Sequence, residues 1–137
     1  MSGEEIYSHD GILVARVISA EQLWNGTALN FWSNDEDFIQ VGTWTHPKGT
    51  ILPAHTHNVF ERSSFRTQEV VYVVSGSILA QLYSEDESLI AECVMREGEL
   101  LVCLNGGHGY TILEKDSRVL EIKNGPYLGP DLDRRRF

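Results

Sequence analysis

The sequence predicts an all-β protein of one domain, either a β-sandwich or a β-barrel. About nine short runs of apolar or β-branched residues recur at regular spacing, and turn residues separate them. Helical periodicity is almost absent. The 137 residues are enough for one hydrophobic core and too few for two, and no internal repeat divides them.

The predicted strands follow one another along the chain with glycine-rich or polar turns between them. They cover residues 11–18, 38–44, a stretch that begins after residue 49, and then 69–75, 78–83, 89–96, 100–104, 110–113 and 119–123. Ser19 predicts the cap of a brief helical turn, AEQLW, which Asn25 and Gly26 close. The core of the domain is therefore expected over residues 38–123, with an N-terminal strand at 11–18 and a C-terminal arm at 124–137.

Composition and charge exclude several classes of partner. The net charge of −9 repels phosphate backbones and anionic lipids, which argues against nucleic-acid and membrane partners. No apolar run approaches the roughly 20 residues that span a bilayer, and the first residues do not resemble a signal peptide, so we expect a cytoplasmic protein. Cys93 and Cys103 lie in apolar runs, which predicts buried, reduced thiols.

One stretch carries the chemistry of the chain, GTILPAHTHNVFERSSFRTQEVVYVVSG. His55 and His57 are two residues apart, so in a β-strand both imidazoles face the same side. Glu69 opens the next apolar run, and His108 lies in a second glycine-marked stretch. Three imidazoles and a carboxylate are ligands typical of Zn, Fe, Ni, Cu or Mn. These four residues are therefore the predicted metal site.

The spacing of these residues resembles the two motifs of the cupin superfamily. The first motif reads G-x5-H-x-H-x(3,4)-E-x6-G, and Gly49, His55, His57, Glu69 and Gly76 match its beginning and end. The resemblance covers about two thirds of the chain and is closest to small single-domain cupins of unassigned function. It implies a cupin-like β-barrel, also called a double-stranded β-helix or jelly roll.

The chain departs from both motifs. Eleven residues separate His57 from Glu69, so residues 58–65 are expected to form an inserted loop. Glu61 lies at the usual distance from His57 and competes with Glu69, although only Glu69 begins a strand pattern that ends at a glycine. In the second motif, Leu104 replaces the proline and the path to His108 is one residue short.

The resemblance implies an enzyme that acts on a small polar substrate through a divalent metal (Zn, Fe, Ni or Mn), in the dioxygenase or isomerase class. Two alternatives stay open. One is a non-catalytic module that binds a sugar or a metal, and the other is a metal-free sugar-nucleotide isomerase that uses histidine acid/base chemistry. Exposed strand edges also predict a homodimer, with strand 11–18 as a candidate for exchange.

Overall fold

The computed structural model describes residues 3–26 and 28–137, and these confirm the all-β class. The described residues form ten antiparallel strands and two short helices. The strands are β1 (Glu4–Tyr7), β2 (Leu13–Ile18), β3 (Ala28–Phe31), β4 (Gly42–Thr45), β5 (Glu69–Ser75), β6 (Ser77–Tyr83), β7 (Leu89–Arg96), β8 (Leu100–Cys103), β9 (Gly107–Ile112) and β10 (Arg118–Lys123). The helices are α1 (Ala20–Trp24) and α2 (Pro130–Asp133).

Two sheets pack face to face around the main core. The larger sheet has the order β1-β2-β8-β5-β10, and the smaller one has the order β7-β6-β9. Alternation along β5 and β6 directs Val71, Val73, Ile78, Ala80 and Leu82 inward, and all five are almost completely buried. The two sheets therefore form a sandwich whose interior is apolar over most of its length.

A second apolar cluster covers the outer face of the larger sheet. Leu23 of α1, Trp32 and Ile39 pack there against Val70 and Val102. The hairpin of β3 and β4 holds this layer, because the Trp32 indole donates to the Thr43 hydroxyl at 2.9 Å. The inner face of the larger sheet is therefore the one available to a site inside the sandwich.

The helix start is the one that the sequence predicts. The Ser19 hydroxyl accepts from the Gln22 backbone amide, and the Gln22 side chain accepts from the Ser19 amide. This reciprocal capping box satisfies two amides that α1 would otherwise leave unpaired.

The sandwich is open on one side. The edge strands β9 and β10 flank this side, and within the described residues the sheets stay separate and do not close into one barrel. Each edge strand pairs on one side only, β9 with β6 and β10 with β5. The open side gives access from solvent to the interior between the sheets.

Two predicted strands differ in the structure. The strand predicted over residues 38–44 is present only as β4, because Ile39 packs into the core and its amide donates to the Gln68 side chain, outside any sheet. The strand expected after residue 49 is absent from the described structure, where residues 46–68 have no helix or strand. Strand 11–18 is present as β2 and pairs within its own chain with β1 and β8.

Neither helix of the described chain has the length or apolar character needed to cross a membrane. Cys103 is buried, Cys93 is half-buried, and both are free thiols.

Candidate functional site

A cavity of about 780 Å³ lies at the open side of the sandwich. Residues from β5 and β10 of the larger sheet and from β6 and β9 of the smaller sheet line it, and the C-terminal arm lies at its rim. Its walls hold many charged and polar side chains, which distinguishes it from the apolar interior beyond. A cavity of this size suits a small polar molecule.

Two of the four predicted ligands meet inside this cavity. Glu69 begins β5 and faces inward, and its side chain is only 8% exposed. His108 lies on β9 in the opposite sheet, in register with the buried Leu82. The two sheets bring the Glu69 Oε1 atom to 3.4 Å from the His108 Nε2 atom. This distance is longer than an ordinary N–H···O hydrogen bond, so the two groups lie side by side without a good bond between them.

Two further polar groups adjoin this pair. Tyr110 follows His108 by two residues on β9, so both side chains face the cavity. Its hydroxyl lies 3.4 Å from Glu69 Oε1, at the long end of hydrogen-bond geometry, and 3.8 Å from the Cys103 sulfur. Glu69 pairs directly with Cys103 in the register of β5 and β8. A carboxyl, an imidazole and a phenol therefore meet at the cavity, and the buried Cys103 thiol adjoins them.

Burial determines the protonation of these groups. It raises the pKa of Glu69 to about 6, with a further increase from Glu121. Burial lowers the pKa of His108, so its imidazole is neutral near neutral pH and keeps a lone pair. Burial also raises the pKa of Cys103 to about 12 and that of Tyr110 above its usual range, so both keep their protons. Glu69 therefore changes its charge just below neutral pH.

The nearest cation is engaged elsewhere. The Lys123 ammonium lies 3.4 Å from an Asp133 oxygen of α2 and 3.6 Å from Glu121. Further out, Arg66 pairs with Glu85 and Arg135 pairs with Glu87. These ion pairs form a polar rim around the cavity.

The C-terminal arm covers part of the cavity wall. The Phe137 ring packs edge-on against Tyr83 with 5.0 Å between ring centres. A Cβ atom at Gly107 would lie 3.1 Å from the Phe137 ring, so the small residue at the start of β9 allows this approach. The end of the chain is therefore part of the site, as the sequence prediction of an arm suggests.

His55 and His57 are not at this site in the described structure. Both lie in the stretch from residue 47 to residue 67, every residue of which is exposed, and which we call the histidine segment. Their rings contact each other edge-on with centres 5.1 Å apart, and the His55 Nδ1 atom lies 3.2 Å from the Pro53 carbonyl oxygen. Glu61, the competing carboxylate, lies in the same exposed segment.

The donor chemistry of Glu69 and His108 fits a shared metal ion. Two donors that each lie about 2.1 Å from one ion, at tetrahedral or octahedral angles, are about 3.0–3.4 Å apart. The observed 3.4 Å lies in this range. Over residues 3–26 and 28–137, however, no three His, Cys, Asp or Glu side chains come together as a metal site. The cavity thus provides two donors, and the other two predicted ligands lie on the exposed histidine segment.

Comparison with known proteins gives no relative. No family model matches the chain, and neither a curated protein nor a solved structure is detectably similar. Arguments about function therefore depend on the cavity and its residues.

Sequence reasoning missed part of the cavity. The motif spacing does not assign Tyr110 to the site, although its spacing of two from His108 is a usable signal. Cys103 and Lys123 gave no such signal, because β8 and β10 reach Glu69 only through sheet pairing.

Proposed function

We propose that this protein is a metalloprotein in which Glu69 and His108 hold a divalent ion together with His55 and His57, and that it acts on a small polar substrate in the adjoining cavity. The observation that carries the proposal is the 3.4 Å approach of a buried carboxylate and a neutral imidazole from opposite sheets. Two polar groups that line a cavity without a good hydrogen bond between them call for a partner, and a shared metal ion would be one.

The arrangement of the sheets supports a cupin-type jelly roll as the finer description of the fold. Glu69 and His108, the residues that match the two cupin motifs, lie on facing strands of the two sheets. Gly76 has φ +80° at the turn between β5 and β6, as the last glycine of the first motif requires. A jelly roll with the histidine segment as a further strand would bring all four predicted ligands to one place.

The reaction that we favour belongs to the dioxygenase or isomerase class. A divalent ion supplies a Lewis acid that polarises an oxygen of the substrate. The chain itself supplies a hydrogen-bond donor, because the Tyr110 hydroxyl keeps its proton and faces the same cavity.

Metal content of purified variants tests the metal site. Glu69→Gln and His108→Ala should each reduce the bound ion at least tenfold, because an amide lacks the balancing charge and alanine lacks the donor. Glu61→Gln is the matched control and should leave the metal content unchanged. Wild-type protein that takes up no Zn, Fe, Ni or Mn at micromolar concentration would refute the proposal.

One observation favours a second function, proton transfer without metal. The His108 Nε2 atom and the Tyr110 hydroxyl each lie 3.4 Å from Glu69 Oε1, so Glu69 and His108 can exchange protons with a substrate while Tyr110 donates a hydrogen bond. This function corresponds to the metal-free sugar isomerase alternative. Turnover of a candidate sugar substrate that persists in excess chelator and is lost in Tyr110→Phe would favour it. Metal uptake without turnover would instead indicate a binding module.

A further inference from the structure

The histidine segment is exposed along its whole length and carries large apolar side chains. Its hydrogen bonds and ion pairs with the rest of the described chain come from its last two residues, where Arg66 pairs with Glu85 and Thr67 donates to Asp133. Ile51 is 86% exposed, and Val59 and Phe65 are fully exposed. Twenty-one successive exposed residues, 47–67, separate the last buried layer from β5. Large apolar side chains grouped in this way mark a surface that another molecule covers.

The open side of the sandwich also has an uncovered strand edge and exposed apolar side chains. The outer edge of β9 carries backbone groups without a strand partner in the described chain, and Ile112 on this strand is 59% exposed. Leu120 and Ile122 on the other edge strand, β10, are also about half exposed. A free edge of this kind accepts an additional strand.

The register of such an added strand satisfies both features. All sheet pairs in the described chain are antiparallel. If the histidine segment pairs in this way with β9 and His55 lies opposite His108, then Ile51 lies opposite Ile112. Both histidines and Ile51 then share the inward face, because they are two residues or a multiple of two apart. Pro53 is tolerated because the added strand is itself an edge.

We propose that the histidine segment of one chain adds as a strand to the β9 edge of a second copy, where it brings His55 and His57 to that copy's Glu69 and His108. This inference rests on the proposed metal function and adds its partner: each site is made by two chains. It differs from exchange of β2, which already has partners on both sides in its own chain.

Charge favours a second copy as the occupant. The histidine segment contains Lys48, Arg62 and Arg66 against one acid, Glu61, and so has a net charge of +2. Because the whole chain has a net charge of −9, the rest of it has a net charge of −11. A basic segment attracts the acidic body of another copy, and a two-fold arrangement covers two segments and two edges at once.

Length also permits the exchange. Twenty-one residues reach roughly 70 Å when extended, so a loop with both ends fixed extends about half of that distance. A compact domain of this size has a radius of gyration of about 14 Å. The segment is therefore long enough to reach the edge of a neighbouring copy.

Light scattering tests the association. Chelated wild-type protein at 20 µM should have a mass of about 31 kDa, twice the chain mass of 15.5 kDa. Ile51→Ser should weaken the dimer at least tenfold. The control is Leu89→Ser on β7, the far edge of the same sheet, which should leave the dimer unchanged. A wild-type monomer, or a dimer equally affected by both variants, would overturn the inference whether or not metal binds.

A mixing experiment tests whether the site is shared. One variant carries His55→Ala and His57→Ala, and the other carries Glu69→Gln and His108→Ala. Neither contains a complete site, but a mixed dimer formed by refolding them together contains one. Metal content should recover to about a quarter of the wild-type value, since half of the dimers are mixed and each has one of two sites.

The outcomes separate the two proposals. If wild-type protein binds metal and the mixture does not, the segment acts within its own chain and the exchange is wrong, while the metal function stands. If wild-type protein binds no metal, the metal function fails, and the light-scattering result alone decides the exchange.

Discussion

Glu69→Gln should stabilise the chelated protein at neutral pH. The Glu69 side chain is 8% exposed and its pKa is raised to about 6 from 4.5, chiefly by burial. A raised carboxyl pKa means that the folded state holds the proton more tightly than the unfolded state does. The stability that Glu69 contributes is therefore fully present below pH 4.5 and is lost as the pH rises through 6. Glutamine has no such loss.

The size of the effect follows from the pKa difference. The difference between a pKa of 4.5 in the unfolded chain and one of about 6 in the folded chain corresponds to about 2 kcal/mol in the free energy of unfolding at pH 7.5. For a chain of this length that is a rise in Tm of roughly 7 °C. The groups that face Glu69 are common to both proteins, so their own titration largely cancels in the difference. They are His108, Tyr110, Cys103, Glu121, Lys123 and Asp133.

Thermal unfolding of both proteins in excess chelator, at intervals from pH 4 to 8, measures the effect. The difference in Tm should be near zero below pH 4.5 and grow through pH 6. The exposed Glu61→Gln should show no such trend. A Glu69→Gln protein that is less stable than wild type by the same amount at pH 5 and pH 7.5 would refute the reasoning, because hydrogen bonding and not charge burial would then dominate.

With metal present, Glu69→Gln should lose its advantage in Tm over the wild-type protein at pH 7.5. An ion that binds the folded chain stabilises it in proportion to its affinity, so wild-type protein should gain Tm on metal addition at pH 7.5 and Glu69→Gln should gain little. Because imidazole binds metal only when neutral, the wild-type gain should shrink steeply towards pH 5. A gain equal at pH 5 and pH 7.5 would exclude histidine ligands.

Three further substitutions test the frame of the site by urea unfolding. Gly76→Ala should destabilise the protein by about 2 kcal/mol, because the residue has φ +80° and a Cβ atom would overlap the Ser117 hydroxyl. A loss below about 0.5 kcal/mol would show that the turn adapts. Arg16→Ala should cost about 3 kcal/mol, since it removes the buried cation that bonds Asp37 at 2.8 Å; a neutral effect would mean that its charge burial cancels the bond. Phe137→Ala should cost about 1 kcal/mol by removing the edge-on contact with a tyrosine of β6, and an unchanged midpoint would show that the arm does not hold the cavity wall.

Local sequence predicted the strands where pattern and turn agree. Strands 69–75 and 89–96 have the predicted bounds, because β-branched and alternating residues end at Gly76 or at a polar turn. β1 was missed, since Glu4 and Glu5 are poor strand formers. Its pairing depends on β2, where Arg16 bonds Glu5 at 3.1 Å. That contact is tertiary and has no signal in the local pattern.

Part of the candidate site could also be predicted from the sequence. Motif spacing identified Glu69 and His108, which the structure brings together, because each lies at a strand position whose alternation fixes its direction. It did not predict where the histidine segment lies. A proline, polar residues and a long insertion leave residues 47–67 without a strand pattern, so the position of the segment depends on which edge it meets.

The position of Glu69 itself argues for a cationic ligand. A buried carboxyl is satisfied by a proton, by hydrogen bonds or by a cation. Near pH 7.5 the proton is mostly lost, because the pKa is about 6. The only side-chain donor bonded to it among the described residues is the Tyr110 hydroxyl, at a long 3.4 Å. Lys123 lies nearer to Asp133 and Glu121. At neutral pH the metal-free chain has the free-energy cost of burying the charged Glu69 carboxylate. A cation held between Glu69 and the neutral His108 would therefore offset that cost.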